Sequence, residues 1–234
     1  MADLNGTTIA ATYTGLLKTS DNGARGAEGS ADQISDGRGN NTPLYLSATE
    51  VYALGSGAGT SHTAFGKDCG ADLSTGEHNT AIGYHTLFQG TTETDDNVAI
   101  GYNAMSGGWT TAAVNDCVVI GSGAGAGALV AGASGSTVVG TAAGAAMTSA
   151  ERSTAVGYKA LNILTTGNDN TAIGYEAALG SGSPNDHYST TAVGAYAGTA
   201  LESGSSNTFI GMNSGKANTD GYRNTFVGAD SGLS

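Results

Sequence analysis

Ten copies of one five-residue motif run through this chain, and their spacing restricts the fold more than any other feature. Aligned on a shared glycine, they read His62-Thr-Ala-Phe-Gly66, Asn79-Thr-Ala-Ile-Gly83, Asn97-Val-Ala-Ile-Gly101, Cys117-Val-Val-Ile-Gly121 and Ser136-Thr-Val-Val-Gly140. The series continues with Ser153-Thr-Ala-Val-Gly157, Asn170-Thr-Ala-Ile-Gly174, Thr190-Thr-Ala-Val-Gly194, Asn207-Thr-Phe-Ile-Gly211 and Asn224-Thr-Phe-Val-Gly228. Successive glycines stand 17 to 20 residues apart. A period this short predicts a solenoid, one supersecondary unit stacked on itself.

Within a rung, the residue just before the glycine is Ile, Val or Phe, and the residue three before it is Thr or Val. The two alternate, so they share one face of a short strand. The opposite face, two before the glycine, carries Ala81, Ala99, Val119, Val138, Ala155, Ala172, Ala192, Phe209 and Phe226. Both faces are apolar or small, where a strand buried on one side only would alternate with polar residues. The expectation is that the Thr/Ile row fills the coil and the Ala/Val/Phe row packs against other chains. A single rung offers too few apolar side chains to offset the ordering of its backbone, so stacking must hold it. The glycine fits a sharp turn or a close backbone approach.

The chain has 39 Gly among 234 residues. These glycines are phased against β-branched residues, which argues for a repeated turn and against a disordered tract. A net charge of −12, with eight scattered Lys and Arg, argues against binding nucleic acid or inserting at an anionic membrane. The start of the chain has no basic segment followed by an apolar run, and no stretch reaches about 18 apolar residues. A soluble product of a cytosol is therefore expected. Cys69 falls three residues after its glycine, a slot otherwise filled by Ala, Ser and Thr, and reads as a small buried filler. Cys117 occupies the Asn/Ser slot before the strand, so no disulfide framework is expected.

The Asn-Thr-Ala-Ile-Gly-Tyr-x-Ala pattern resembles the head repeats of trimeric autotransporter adhesins, which are left-handed parallel β-rolls standing three abreast. The similarity spans roughly residues 60 to 234, with longer return segments here. The same repeat type resembles that of bacteriophage tail fibres. The stretches Thr7 to Lys18 and Gln33 to Ser47 are similar to the start of many phage fibre proteins. That resemblance implies a segment of residues 1–55 that docks onto the virion, with Ile9, Tyr13, Leu16, Leu17, Leu44 and Leu46 as anchoring side chains. Residues 56–234 would form the solenoid. Leu44 and Leu46 alternate like a strand after the turn signals Asp36-Gly37 and Gly39-Asn40. Residues 19 to 32 read as a polar linker.

The fold class expected is all-β, a parallel β-solenoid of about ten repeats, trimeric, behind a small attachment segment. The function implied is a non-enzymatic phage tail fibre, a homotrimer located in the virion and assembled in the host cytoplasm. Its partners would be a tail, baseplate or capsid protein and a host-surface glycan or protein. A head fibre or decoration protein and a bacterial adhesin head are the alternatives. No catalytic constellation, cofactor motif or metal spacing is evident. His62, His78, His85 and His187 do not form a ligand set, and Gly121 to Gly127 lacks the Lys-Ser/Thr ending of a phosphate loop. A depolymerase would need clustered carboxylates in a groove.

Several surface features remain open. Asp96, Asp116 and Asp169 each stand five before a glycine, as a Ca²⁺-binding edge or as solvated turns. Arg152 shares that slot on the rung beside Asp169, which predicts an exposed ion pair. Tyr84 and Tyr102, and likewise Tyr158 and Tyr175, follow the glycines of adjacent rungs, as structural ladders or as faces for sugars. The longer intervals place loops near Ser106–Val114, Ala124–Gly135 and Gly180–Tyr188. Trp109 and His187 in these loops join the four tyrosines as candidate receptor-facing residues. An ice-binding face would need the Thr row exposed and flat. Its replacement by Val98 and Val118 places that row inside.

Overall fold

The computed structural model describes residues 31–35, 41–47, 51–53, 62–70, 73, 76–82, 83–88, 94–107, 113–127, 133–182 and 185–233, the first three segments by their backbone. The chain divides into two compact units, Met1–Tyr52 and Ala53–Ser234. In the first, strands β1 (Ala31–Ser35) and β2 (Asn41–Ser47) pair antiparallel, with Ala31 opposite Ser47 and Gln33 opposite Tyr45. The register shifts between Gln33 and Ser35, opposite the stretch holding Pro43, which has no N–H to give a ladder. Leu44 and Leu46 lie in β2 as the alternation predicts, while Ile9, Tyr13, Leu16 and Leu17 lie outside the described residues. Strand β3 (Val51–Ala53) falls at the division between the units.

The second unit is a parallel β-solenoid. Ten three-residue strands follow one another: β4 (Thr63–Phe65), β5 (Thr80–Ile82), β6 (Val98–Ile100), β7 (Val118–Ile120), β8 (Thr137–Val139), β9 (Thr154–Val156), β10 (Thr171–Ile173), β11 (Thr191–Val193), β12 (Thr208–Ile210) and β13 (Thr225–Val227). Each pairs in parallel with its sequence neighbours, and the motifs align residue for residue: Thr171 with Thr154 and Thr191, Ala172 with Ala155 and Ala192. There is no α-helix among the described residues. Each coil turns at three left-handed positions. The glycine ending the strand leads into two, such as Asn103 (φ 51°) and Met105 (φ 52°), and a third precedes the next strand, such as Asp116 (φ 60°).

The sidedness of the strand is the reverse of the sequence expectation. The row two before the glycine points into the coil: Ala81, Ala99, Val119, Val138, Ala155, Ala172, Ala192 and Phe209 are buried, and Phe226 is half-buried. These side chains are enclosed by their own chain and cannot pack one chain against another. The Thr/Val and Ile/Val/Phe rows face outward, with Phe65 57% and Val227 65% exposed. The interior is narrow, and the inward row shares it with side chains from the opposite wall, Leu87, Met105 and Leu161 four after the glycine and Leu73, Met147 and Leu201 seven after it.

That filling follows a rule. Where the inward strand residue is Ala81, Ala99 or Ala155, the residue four after the glycine is Leu87, Met105 or Leu161, all fully buried. Where it is Val119, Val138, Phe209 or Phe226, that position is Gly125, Gly144, Gly215 or Gly232. A Cβ on Gly215 would come within 2.6 Å of the Phe209 ring. In these rungs a larger residue on one wall faces a smaller one on the other; the Ala172 rung, with Ala178 opposite, departs from the pattern. The Ala64 and Ala192 rungs, which carry glycine at the same position, bring in Leu73 and Leu201 three residues later.

A second row explains the Asn, Ser or Thr before each strand. Asn97 N–H donates to Asn79 Oδ1 (3.0 Å), Cys117 N–H to Asn97 Oδ1 (2.9 Å), Thr190 N–H to Asn170 Oδ1 (3.0 Å) and Asn224 N–H to Asn207 Oδ1 (3.0 Å). The amide nitrogens donate to the return segment of the next coil, as Asn97 does to Val114 O (2.7 Å) and Asn170 to His187 O (2.8 Å). A buried amide is stable only when both ends are satisfied. The slot pins one rung to the next in a single register. Cys117 is buried in this row, and Cys69 is buried in the small-residue corner. Burial pushes the Cys117 thiol up, which keeps it unreactive.

Candidate binding surface

With the interior filled, three outward features remain: the strand face, the tyrosine rows and the charged turns. The strand face is two side chains wide and ten rungs long. Stacked strands lie about 4.8 Å apart, so its nine steps span roughly 43 Å. It carries threonine on eight rungs and Ile, Val or Phe on all ten. Ile82, Ile173 and Ile210 are each about 40% exposed. This row is the longest apolar feature on the outside of the described coil.

The tyrosines form two short stacks. Tyr84 and Tyr102 have ring centroids 5.6 Å apart and planes within 11°; Tyr158 and Tyr175 are 5.2 Å apart and within 20°. Tyr196 meets Tyr175 edge-on at 5.2 Å, and His85 lies between Tyr84 and Phe88. All four slot tyrosines are exposed, Tyr102 the most at 56%. The ladder reading of the sequence is realised in these stacks.

The charged turns carry an ion pair and left-handed backbone. Arg152 Nε donates to Asp169 Oδ1 (2.7 Å) and Nη2 to Oδ2 (3.1 Å), the exposed pair that slot matching predicts, and Nη1 also meets Glu151. The guanidinium beside Asp169 holds its carboxyl below the usual range. Asp96, Asp116 and Asp169 have φ of 58°, 60° and 60°. Asp tolerates this left-handed conformation better than most residues, which accounts for its recurrence there. Among the described residues no three His, Cys, Asp or Glu converge on one point.

His187 is not on the surface. It is fully buried, with Nδ1 3.1 Å from Asn170 Oδ1 and no partner at Nε2. Its slot, seven before the glycine, holds Gly76, Thr94, Val114, Ala133, Ala150, Gly167, Gly204 and Gly221 in the other rungs, so alignment on that slot would have placed it inside. Trp109 lies outside the described residues. Burial pushes the His187 imidazole down to about 4. The unfolded chain takes up this proton below about pH 6.5, while the folded chain resists it until about pH 4. The stability is complete above the unfolded value, falls between pH 6.5 and 4, and levels off below. We expect a loss on the order of 3 kcal/mol across that window by urea unfolding at several pH values. In His187→Asn this component of the slope should vanish; an unchanged slope would place the acid sensitivity elsewhere.

A scan against protein-family models finds no match, and searches of curated proteins and of solved structures return none.

Proposed function

We propose that this chain is a non-enzymatic structural protein, a homotrimeric phage tail fibre. In this reading, residues 1–55 attach it to a tail, baseplate or capsid protein. The solenoid then stands out from the virion to meet a host-surface glycan or protein. The observation that carries the proposal is the unbroken outward row of Thr/Val and Ile/Val/Phe over ten in-register rungs. Such a row loses least free energy when covered by the same row of another copy, and a closed ring of copies covers every row at once. The resemblance of the repeat to adhesin heads and fibre shafts supports three copies. The carboxylate-rich, lysine-poor composition supports a protein or sugar partner over nucleic acid.

Light scattering on the full chain tests this. The expected mass is near three times 22.9 kDa. Paired Ile100→Glu and Ile120→Glu substitutions, on the outward row, should shift it to a folded monomer. A wild-type monomer would sink the trimer and with it the fibre reading.

One observation favours a second reading. The threonine row faces outward at regular spacing, contrary to the inward placement expected from Val98 and Val118. That is the arrangement an ice-binding face requires. A monomer showing thermal hysteresis, lost in Thr154→Leu/Thr171→Leu, would favour that reading over the fibre.

A further inference from the structure

We infer that the break between the two tyrosine stacks is a binding notch for a short neutral oligosaccharide. The slot after the glycine runs Tyr84, Tyr102, Ser122, Thr141, Tyr158, Tyr175 along consecutive rungs. The register is continuous through the break. Gly123 N–H donates to Tyr102 O (2.8 Å), Ala142 N–H to Ser122 O (2.9 Å), and Lys159 N–H to Thr141 O (3.1 Å). Tyr102 and Tyr158 are thus separated by three rung steps, about 14 Å at strand spacing.

Because each pair is stacked along the ladder, each stack ends in a ring whose other face meets no ring of this slot. Tyr102 ends one stack and Tyr158 the other, on either side of the gap. Between them the floor is two exposed hydroxyl side chains, Ser122 and Thr141. The neighbouring positions are Gly123 and Ala142, which add no bulk. Aromatic faces at two ends, hydroxyls between, and room for one ring against each face are the elements of pyranose recognition. The C–H face of a sugar packs on a tyrosine ring while its hydroxyls take hydrogen bonds from the floor. The Lys159 ammonium lies over the Tyr158 ring, 5.3 Å from its centroid, so a sugar on that face displaces this mobile side chain and takes it as a donor. A net charge of −12 selects against sialylated or sulfated sugars and for neutral hexose or N-acetylhexosamine units.

This deepens the reading of the chain as a surface-displayed fibre, but the two fail separately. The probes are cellotriose, chitotriose and maltotriose, with 3′-sialyllactose as the acidic comparison, titrated at millimolar concentration against the full chain. The readout is the tyrosine ring resonances. At least one neutral trisaccharide should shift Tyr102 and Tyr158 and leave Tyr222 unmoved, and sialyllactose should do less. Tyr102→Ala or Tyr158→Ala should weaken binding about tenfold. Ser122→Tyr, which fills the vacant place in the ladder, should abolish binding while the melting temperature holds. The inference is overturned if none of the three neutral sugars moves these rings, or if Ser122→Tyr folds and still binds. A trimer that binds none of them keeps the fibre and loses the notch. A monomer that binds keeps the notch and loses the fibre.

Discussion

Replacing Gly121 by alanine is expected to remove about 3–5 kcal/mol of stability, a large effect for a single methyl group. Two causes combine. The backbone there has φ of 138°, which an L side chain rarely adopts. The added Cβ would also lie 2.6 Å from the carbonyl of Gly140 on the next rung, and backbone cannot step aside without breaking the ladder. Gly228 provides the control. Its φ of 121° is comparable, but nothing lies within 4 Å of the position a Cβ would take. Gly228→Ala should retain only the conformational part, about 1–2 kcal/mol. Urea midpoints for the two variants separate the causes. Equal losses would mean that stacking distance plays no part and that the glycine is kept for its dihedral alone.

The second large effect concerns core volume. Phe209 is fully buried and stacks on Phe226, centroids 5.6 Å apart. Phe209→Ala should lose about 3–5 kcal/mol. Gly215→Ala should also destabilise, by about 2–3 kcal/mol, because its methyl would collide with the same ring. The informative measurement is the double variant. With the ring gone, the alanine fills part of the cavity, and the combined loss should fall short of the sum by more than about 1 kcal/mol. Strict additivity would refute the compensation inferred between these two positions.

That compensation also shows where sequence reading reached and where it stopped. The parallel stack, its ten strands and the pairing of Arg152 with Asp169 follow from period and slot alone. So does the burial of Cys69, because its slot holds only small residues. The direction of the strand does not. Ile and Val before the glycine have the bulk of core residues, and Ala two before it looks like a concession to a neighbouring chain. The interior is small because Leu87, Met105 and Leu161 reach into it from left-handed positions where glycine would be the ordinary choice. The alternation of Ala with Leu or Met, and of Val or Phe with Gly, was present in the sequence, but it links residues six apart on opposite walls, which no strand or helix period connects. His187 was misplaced because the lengthened interval before Gly194 suggested a loop. The extra residues precede it, and by its own slot it belongs to the core.

The joining of neighbouring rungs through the same slots has a consequence for heredity. Rungs that carry the same slot residues offer their neighbours the same backbone and amide contacts, so gain or loss of a whole coil between such rungs is expected to preserve the stack. A crossover between the strand and the residue four past its glycine would be felt most where it joined a Phe to a Leu, two large side chains in one narrow coil. The variation in interval from 17 to 20 residues comes from the return segments, which lengthen without disturbing the strand register.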